Sequence, residues 1–318
     1  MKILTNHPGQ MQSKTWEKYT TYVPVDGNGY LSLIKNVIKM HKIKNMHDYI
    51  VLGAGRPDIF FLLINTLFFC ARNKCIVIDC LWYKSRNPFY FFIKKYIFKI
   101  ADVSVCKYIV WASREIEAFS SIFCLPKQKF LFVPYHHTVN DLNVNISSGD
   151  YLFSGGNFGR DYLTLIESVR GLPIKLLIAS NRTEIFEGID IPDNVTIKGF
   201  GHKEYLEKMA GCYINIVALA PNLLHSGGQQ TFLNSMLFGK ATIVLDPEGA
   251  SDYIIDGVDG LLVEPGNPEK LNAAIMDLLK NPEKARCIGE RGREKALKLS
   301  TEAHFEKIVE LVNSVVNT

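Results

Sequence analysis

The sequence predicts an α/β protein built from two doubly wound domains, each a parallel sheet with helices on its faces. Short apolar segments alternate with helical segments along residues 1–134, and the same alternation starts again after a polar, turn-rich stretch at 136–150. The charge is divided in the same way, because residues 1–146 contain 19 lysines and arginines against 9 acidic residues, whereas 147–318 contain 17 against 23. We therefore expect an N-terminal domain over 1–146, facing something anionic, and a C-terminal domain over 147–302.

Six apolar runs of the first half are short and bounded by turn residues, as expected of buried strands. They lie at 2–6, 49–53, 75–79, 103–106, 108–113 and 129–134. Helices are predicted between them near 30–43, 57–72, 87–101 and 114–123. The longest apolar run, 59–71, is shorter than the ~20 residues that span a bilayer, so it predicts a buried helix.

The second half repeats this pattern with another set of strands and helices. The strands are predicted at 151–156, 175–180, 195–200, 213–219, 241–246 and 260–265. Helices are expected near 160–170, within 225–240, and at 267–281, 282–298 and 302–316. Pro268 stands at a first helical position, where its fixed φ and missing N–H are tolerated.

The cysteines and the N-terminus indicate a cytoplasmic protein. The seven cysteines form no C-x-x-C pair, are odd in number and lie mostly in apolar runs, which favours reduced thiols over disulfides or a zinc site. The first ten residues lack the apolar core of a signal peptide. No D-x-D pair follows a strand, so we expect no metal, and no nucleic-acid reading motif stands in the basic half.

Two glycine-containing stretches follow strands of the second half, SGGNFGRDY at 154–162 and HSGGQQTFLNSMLFGK at 225–240. Ligands of doubly wound sheets bind beyond the carboxyl ends of the strands, where loops meet helix N-termini. Glycines let an anion approach the backbone, and a helix start without a carboxylate favours it. We therefore predict a diphosphate site that includes Gly155, Gly156, Asn157, Arg160, His225, Ser226, Gly227, Gly228, Gln229, Gln230 and Thr231. The alternative is that each glycine pair only caps a helix or closes a turn.

The second half also resembles a known family. KLLIAS, KGFGHKEYLEKMAGCYINIVAL, the glycine-initiated helix ending in FGKATIVLD, and SDYIIDGVDGLLVEPGNPEKLNAAIMDLL occur in the order found in group 1 glycosyltransferases of the GT-B fold. The resemblance covers roughly residues 108–300. It implies two Rossmann-like domains facing a cleft, with the last helix, 303–318, packed back on the first domain. It also implies a nucleotide-diphospho-sugar as donor, no cofactor, and a saccharide or lipid-linked acceptor in cell-surface polysaccharide synthesis.

The chain departs from this family at the positions of its two glutamates, and Gly155 stands where the family usually has an arginine. Ser226 and Asn234 stand where the family has two glutamates that contact the donor sugar and the ribose, and Lys198–Phe200 stand where it holds the base. Serine and asparagine still form hydrogen bonds but carry no charge. An uncharged site tolerates a uronic acid donor better than glutamates would, although neutral sugars also bind through amides. The loss of both glutamates leaves open a non-catalytic GT-B subunit that binds a partner glycosyltransferase or a glycan.

The N-terminal domain is expected to hold the acceptor and any catalytic base. His7 and Asp79 each follow a strand, so both are candidates for acid–base chemistry, and a turn or helix cap is the alternative for Asp79. NPFYFFIKKYIFKI at 87–100 has six aromatic residues and three lysines. This segment has two interpretations, a peripheral contact with the inner face of the membrane or an ordinary helix with a buried aromatic side.

Overall fold

The computed structural model describes residues 1–11, 13–25, 29–53, 55–69, 75–79, 87–139, 144–223, 225 and 227–316. The chain divides into two compact units, one formed by Met1–Val133 with Thr301–Thr318 and the other by Pro134–Ser300. The division after Val133 lies earlier than the boundary at 146 that the sequence suggested. The reason is that residues following Val133 bind the second unit: Tyr135 N donates to the Tyr253 hydroxyl at 2.8 Å and His137 N to Leu299 O at 3.0 Å.

The first unit contains a six-stranded parallel sheet in the order β2-β1-β3-β4-β5-β6. Its elements up to Val133 are β1 Ile3–Thr5, α1 Lys14–Tyr19, β2 Thr20–Tyr22, α2 Tyr30–Ile43, β3 Tyr49–Leu52, α3 Arg56–Phe69, β4 Cys75–Ile78, α4 Pro88–Asp102, β5 Val105–Val110, α5 Ser113–Phe123 and β6 Phe130–Phe132. The central strands are buried on both faces, as a parallel sheet between helices requires.

The second unit has the same architecture, with strand order β12-β11-β10-β7-β8-β9. Its elements are β7 Tyr151–Gly155, α6 Tyr162–Val169, β8 Lys175–Ala179, β9 Val195–Lys198, α7 His202–Ala210, β10 Ile214–Val217, α8 Gln229–Leu237, β11 Ala241–Val244, α9 Pro247–Ala250, β12 Leu261–Leu262, α10 Pro268–Lys280 and α11 Pro282–Leu297. Aliphatic side chains of the strands, α6 and α10 form its core. The predicted α/β class with two doubly wound sheets is confirmed.

One local prediction for the first unit is wrong, and two of its elements were not predicted. The strands expected at 103–106 and 108–113 form one strand, β5, because Lys107 stays in the strand with its Nζ donating to Gln128 O at 2.7 Å. The sequence also gave no sign of α1 and β2, which follow one another without a break. β2 has no buried residue, so it lacks the apolar signal by which the other strands were found.

The helix at the C-terminus, α12 Thr301–Val316, packs against α1 of the first unit. Phe305 is its central contact, with its ring centroid 4.9 Å from Trp16 and 5.8 Å from His7. A Cβ at Gly9 would meet the Phe305 ring at 2.1 Å, so only glycine lets the loop after β1 approach this ring.

Helices α2 to α5 lie side by side on one face of the first sheet, since each packs against the next. The outer surface of three of them exposes twelve large apolar side chains, which we call the apolar face: Tyr30, Leu31, Ile34, Ile38, Phe60, Leu67, Phe68, Phe89, Tyr90, Phe92, Ile93 and Tyr96. On α4, Phe98 is buried, whereas Phe92 and Tyr96 are 68% and 63% exposed. Among the described residues, no helix is both long and apolar enough to cross a bilayer.

Candidate functional site

The strand order of the second unit predicts where a ligand binds. The chain runs outward from β7 to β8 and β9, then returns to β10 on the other side of β7. The connections that follow β7 and β10 run in opposite directions along the sheet, so a crevice opens between the carboxyl ends of these two neighbouring strands. Gly155 ends β7 and the loop to Arg160 follows it, and the segment leading to α8 follows β10, so the two predicted glycine stretches meet there.

Arg160 joins the two stretches. Its guanidinium donates to Gly155 O at 3.1 Å, to Phe158 O at 3.0 Å and to Thr231 Oγ1, in the first turn of α8, at 3.2 Å. Backbone bonds reinforce the junction, because Ala220 N donates to Gly159 O at 3.0 Å. Gly156 has φ +126°, and a Cβ there would meet the guanidinium at 2.4 Å, so glycine is required under this side chain.

No carboxylate in the part of the chain that the structure describes neutralises the charge of Arg160. All three of its hydrogen bonds go to uncharged oxygens, and no carboxylate within the described residues forms an ion pair with it. Burial lowers the pKa of the guanidinium, while the Tyr162 and Tyr205 hydroxyls act in the opposite direction. Arginine still keeps its charge in proteins, so a partly buried cation with no counterion among the described residues lies at the crevice.

The start of α8 also favours an anion. Gly228 is the N-cap residue with φ +79°, no side chain caps the helix, and its first turn contains no acidic residue. Gln229 is 7% exposed, and its Nε2 has no hydrogen-bond partner in the described part of the chain. Gly227 and His225 precede the helix and are half-buried, whereas Ser226 lies outside the described residues. Uncapped N–H groups at a helix start bind anions well.

A cavity of about 260 Å³ opens beside Arg160 and α8. It is lined by Gly156, Asn157, Ala179, Ser180, Asn181, Phe200, Tyr205, Gln230, Thr231 and Asn234. Six of these residues were predicted from the sequence: Gly156, Asn157, Phe200, Gln230, Thr231 and Asn234. The lining contains amides, hydroxyls, two aromatic rings and no carboxylate, a set that suits a neutral polar group next to an anion.

Four lining residues were not predicted. Ala179 ends β8, and Ser180 and Asn181 follow it; Ser180 Oγ donates to Asn157 Oδ1 at 2.9 Å. The sequence did predict a strand at 175–180. Because ligands of doubly wound sheets bind beyond the carboxyl ends of the strands, the end of this strand could have been included in the predicted site. Tyr205 comes from α7, and nothing in its helical pattern points to the cavity.

Gly155 and Lys198 differ from what the sequence suggested. A Cβ at Gly155 would meet the Tyr205 side chain at 2.5 Å, so the space in front of this glycine is filled by Tyr205. Lys198 is exposed, with its Nζ 5.1 Å from the centre of the Phe200 ring and 3.9 Å from Glu204. Neither residue lines the cavity, and their predicted donor contacts stay predictions.

Asn234 is 2% exposed and binds the segment that enters the second unit. Its Oδ1 accepts from Thr138 N at 2.8 Å, and its Nδ2 donates to Thr138 Oγ1 at 3.1 Å. Gln230 Nε2 donates to the same hydroxyl at 3.0 Å. An amide has two acceptor and two donor positions, so Asn234 keeps one of each for a ligand.

In the first unit, the equivalent point of the sheet lies between β1 and β3, where the strand order reverses. His7 follows β1, and its Nδ1 accepts from Gly9 N at 3.3 Å. Asp79 follows β4 with φ +62°, a left-handed conformation that aspartate adopts more readily than most residues. His7 and Asp79 both lie at the carboxyl ends of strands of this sheet. They do not follow neighbouring strands, because β3 lies between β1 and β4.

Asp58, which the sequence did not single out, lies beside His7. A Cβ at Gly53 would stand 3.6 Å from Asp58 Oδ2 and 3.9 Å from the His7 ring. Asn6 Nδ2 donates to Asp58 Oδ1, and Gly55 N donates to Oδ2 at 2.9 Å. Burial raises the pKa of Asp58 to about 7, against these hydrogen bonds, which lower it. An acid that changes protonation near neutral pH is suited to proton transfer.

Within the described residues, no group of histidine, cysteine, aspartate or glutamate side chains is arranged to hold a metal ion. The expectation that the protein needs no metal stays a prediction.

Comparison with known proteins gives one family and one fold. Residues 180–295 match the family model described as glycosyl transferases group 1. Two uncharacterized glycosyltransferases of Methanocaldococcus jannaschii are similar to this chain. One is 28% identical over 133 residues (33% of this chain, 34% of that protein), and the other is 36% identical over 70 residues (22% and 20%). The match thus spans about a third of the first relative and a fifth of the second.

Solved structures match the whole chain. A glycosyltransferase from Rickettsia africae has a TM-score of 0.71 at 14% identity, with 99% of this chain and 98% of that chain covered. Anabaena HepE, solved in complex with UDP, has a TM-score of 0.72 at 12% identity, with 99% and 100% covered. These matches confirm the resemblance that the sequence indicated: the chain has the GT-B fold, and over residues 180–295 it is similar to the group 1 glycosyltransferases.

Proposed function

We propose that this protein is a glycosyltransferase that moves a sugar from a nucleotide-diphospho-sugar to an acceptor hydroxyl. The observation that carries the proposal is Arg160, a partly buried guanidinium whose hydrogen bonds within the described residues all go to uncharged oxygens at the crevice of the second sheet. A charge that is partly removed from water is costly unless it is paired, and a diphosphate supplies a negative charge to pair with it. The same contact would stabilise the diphosphate as it leaves the sugar.

The start of α8 supports a second contact with the diphosphate. The N–H groups of Gly227 to Gln230 and the positive end of the helix dipole would bind phosphate oxygens without help from a metal. Gln229 Nε2 supplies a buried donor that no described residue uses. His225 and Ser226 stand just before these groups in the sequence, and we assign both to the donor site.

The cavity next to Arg160 suits the nucleoside part of the donor. Phe200 offers an apolar ring, and Asn157, Asn181 and Asn234 offer amides for a base or for ribose hydroxyls. Anabaena HepE, a protein of similar fold, was solved in complex with UDP and also with UDP-glucose, which supports a uridine donor. The uncharged lining admits hexosyl as well as uronosyl donors.

We assign the acceptor to the first unit, at the sheet edge that carries His7, Asp79 and Asp58. A lipid-linked saccharide of cell-surface polysaccharide synthesis is the acceptor class we propose. The exposed aromatic side of α4, within 87–100, supports a peripheral contact with the cytoplasmic face of a membrane, where such an acceptor would be presented.

Titration calorimetry with UDP-, GDP-, ADP- and dTDP-linked sugars tests the proposal, and thermal unfolding provides a second readout because a ligand of the folded state raises Tm. We expect one nucleotide to bind and its Tm shift to depend on Arg160. No binding of any of the four would overturn the donor site. Binding without sugar release, to water or to saccharide acceptors, would favour the non-catalytic GT-B subunit.

A further inference from the structure

The apolar face of the first unit extends beyond α4. On α2, the exposed residues repeat at helical spacing, so that an apolar row of Tyr30, Ile34 and Ile38 runs beside a row of Leu31, Lys35 and Lys39. Between α2 and α4, α3 exposes Phe60, Leu67 and Phe68. Three neighbouring helices therefore present apolar stripes on the same side, and large exposed apolar patches mark interaction sites.

The charge of these helices points to an anionic partner. They carry seven lysines and arginines, Lys35, Lys39, Lys42, Arg56, Lys94, Lys95 and Lys99, against two aspartates. One aspartate, Asp58, is buried, and the other, Asp102, forms an ion pair with Lys129 at 2.7 Å. The exposed charge on the three helices is thus wholly positive, and basic residues beside aromatic ones are typical of surfaces that lie in a bilayer interface.

A second cavity lies on α2. It measures about 260 Å³ and is lined by Pro24, Ser32, Lys35, Asn36 and Lys39. Lys35 and Lys39 have no ion-pair partner among the described residues, and Ser32 Oγ is buried there without a hydrogen-bond partner. Two ammonium groups and a free hydroxyl around one space are suited to a phosphate.

The apolar face lies next to the edge of the sheet that carries the candidate acceptor residues. Helices of βαβ units run antiparallel to the strands, so their N-terminal halves lie near the carboxyl ends of the strands. Most exposed apolar residues of α2 and α4 are in those N-terminal halves: Tyr30, Leu31, Ile34, Phe89, Tyr90, Phe92 and Ile93. On α3, Leu67 and Phe68 extend the apolar face toward the opposite end of the helix. A surface docked on the N-terminal halves would stand beside His7, Asp58 and Asp79.

We propose that the apolar face docks on an anionic lipid bilayer, with its aromatic side chains in the interface and a headgroup phosphate in the cavity between Lys35 and Lys39. The inference rests on the proposed membrane contact of 87–100 and extends it to α2 and α3. The first unit then sits on the membrane through three helices, and the lysines of α2 add to the basic residues of α3 and α4 in favouring acidic lipid.

Vesicle flotation tests the proposal, with phosphatidylcholine alone and with equal parts of phosphatidylcholine and phosphatidylglycerol. We expect the protein to float with the mixed vesicles and to stay in solution with the neutral ones. Because a lysine near an anionic surface gains about five-fold in partitioning, Lys35→Glu/Lys39→Glu should lower the partition coefficient by about 25-fold or more. Phe92→Ser/Tyr96→Ser and Leu31→Ser/Ile38→Ser should lower it as well, since each removes apolar contact.

The second unit offers matched controls. Lys280→Glu/Lys298→Glu makes the same change in net charge at two exposed lysines, and Leu163→Ser/Leu297→Ser removes two exposed leucines. We expect both controls to float as the wild type does. The proposal would be overturned if the control variants lost as much vesicle binding as the α2 variants do. It would also be overturned if the wild-type protein bound neutral and acidic vesicles equally.

Two further results would also overturn it. If charge reversal on α4 abolishes flotation while Lys35→Glu/Lys39→Glu has no effect, the contact is limited to 87–100. If light scattering shows a dimer that Phe92→Ser/Tyr96→Ser separates, and no vesicles are bound, the apolar face joins two copies of the chain. Flotation contains no sugar nucleotide, and donor titration contains no vesicles, so failure of this inference is distinguishable from failure of the proposed transferase activity.

Discussion

Arg160 Nη2 donates to Thr231 Oγ1 at 3.2 Å, and this bond joins the loop after β7 to the first turn of α8. The two segments are 71 positions apart in the sequence, yet their groups converge on one point at the edge of the sheet. The partner is a hydroxyl and not a carboxylate, so the bond orients the guanidinium without cancelling its charge. The arginine is therefore held in place and still able to attract an anion.

Arg160→Ala should weaken binding of the nucleoside diphosphate by roughly 1.5–3 kcal/mol, the range for a hydrogen bond to a charged group. Calorimetry measures the change directly. Arg170→Ala in the same unit is the matched control, because Arg170 is more exposed and is paired with Glu167 and Asp190. Equal affinity for wild type and Arg160→Ala would remove Arg160 from the donor site.

Asn234→Ala should cost donor affinity on the order of 1 kcal/mol, since one donor and one acceptor of its amide are free for a ligand hydroxyl. Thr138→Val removes the hydroxyl that Asn234 and Gln230 bind but keeps the Thr138 N–H. We expect it to change affinity less than Asn234→Ala does. If the two variants lose the same affinity, Asn234 acts only by holding the segment at Thr138.

Asn234→Glu distinguishes the charge of the donor sugar. A glutamate offers an oxygen to Thr138 N and adds a negative charge to a lining that has none. We expect a neutral hexose donor to bind this variant about as well as wild type, and a uronic acid donor to bind less well because like charges repel. Paired titrations with UDP-glucose and UDP-glucuronate measure this, with Asn234→Gln as the uncharged control of similar size. If Asn234→Gln and Asn234→Glu both bind the two donors more weakly than wild type, the size of the new side chain and not its charge causes the loss.

Gly155→Ala should destabilise the second unit by roughly 1–3 kcal/mol, because the new Cβ would stand 2.5 Å from the Tyr205 side chain in a packed interior. Denaturant unfolding measures the loss. In a Tyr205→Leu background the same change should cost at least ~1 kcal/mol less, since the clashing ring is gone. An equal cost in both backgrounds would show that Tyr205 is not the obstacle.

Asp58→Asn should change how stability depends on pH. Burial raises the pKa of Asp58 to about 7, above the unfolded value of about 3.9, so the folded state binds this proton more tightly. The contribution of this proton to the free energy of unfolding is fully present below about pH 4 and is lost as the pH rises through about 7. Its size is about 1.4 kcal/mol for each pKa unit between the folded and the unfolded state. In Asp58→Asn the free energy of unfolding should not decline in this way as the pH rises, even if it differs from the wild-type value by a constant amount. Asp193→Asn, an exposed change in the second unit, should keep the wild-type slope; a wild-type slope in Asp58→Asn would contradict the shift.

The residues that the structure brings together at the crevice of the second unit could be predicted from the sequence where the chemistry is local. Arg160 and the start of α8 follow from strand, glycine and helix in succession, and the resemblance to a known family pointed to the same segments. Tyr205, which lines the cavity, and Thr138, which binds Asn234 and Gln230, could not be found in this way, because their positions depend on strand order and packing. Asp58 was hidden for a similar reason: its sequence position marks only the first turn of a helix.

Composition indicated a special role for 87–100 but not which side of the helix is exposed. Phe91, Phe92 and Phe98 are identical in type, yet Phe98 is buried and Phe92 is exposed. The neighbouring stripes on α2 and α3 could not be assigned to the same surface without the helix order. The division after Val133 comes before the predicted boundary at 146. Residues 136–138 are polar in sequence and so read as a linker, although His136 and His137 are buried in the structure.

The packing of α12 on α1 has a consequence for how the chain matures. The first unit needs Phe305 against Trp16 and Gly9, and these residues are separated by the whole of the second unit. During synthesis on the ribosome, the second unit can therefore finish folding while the first still lacks part of its core. The amino-terminal unit is the last to be completed, and until then α1 and the loop of His7 offer an uncovered apolar surface to chaperones.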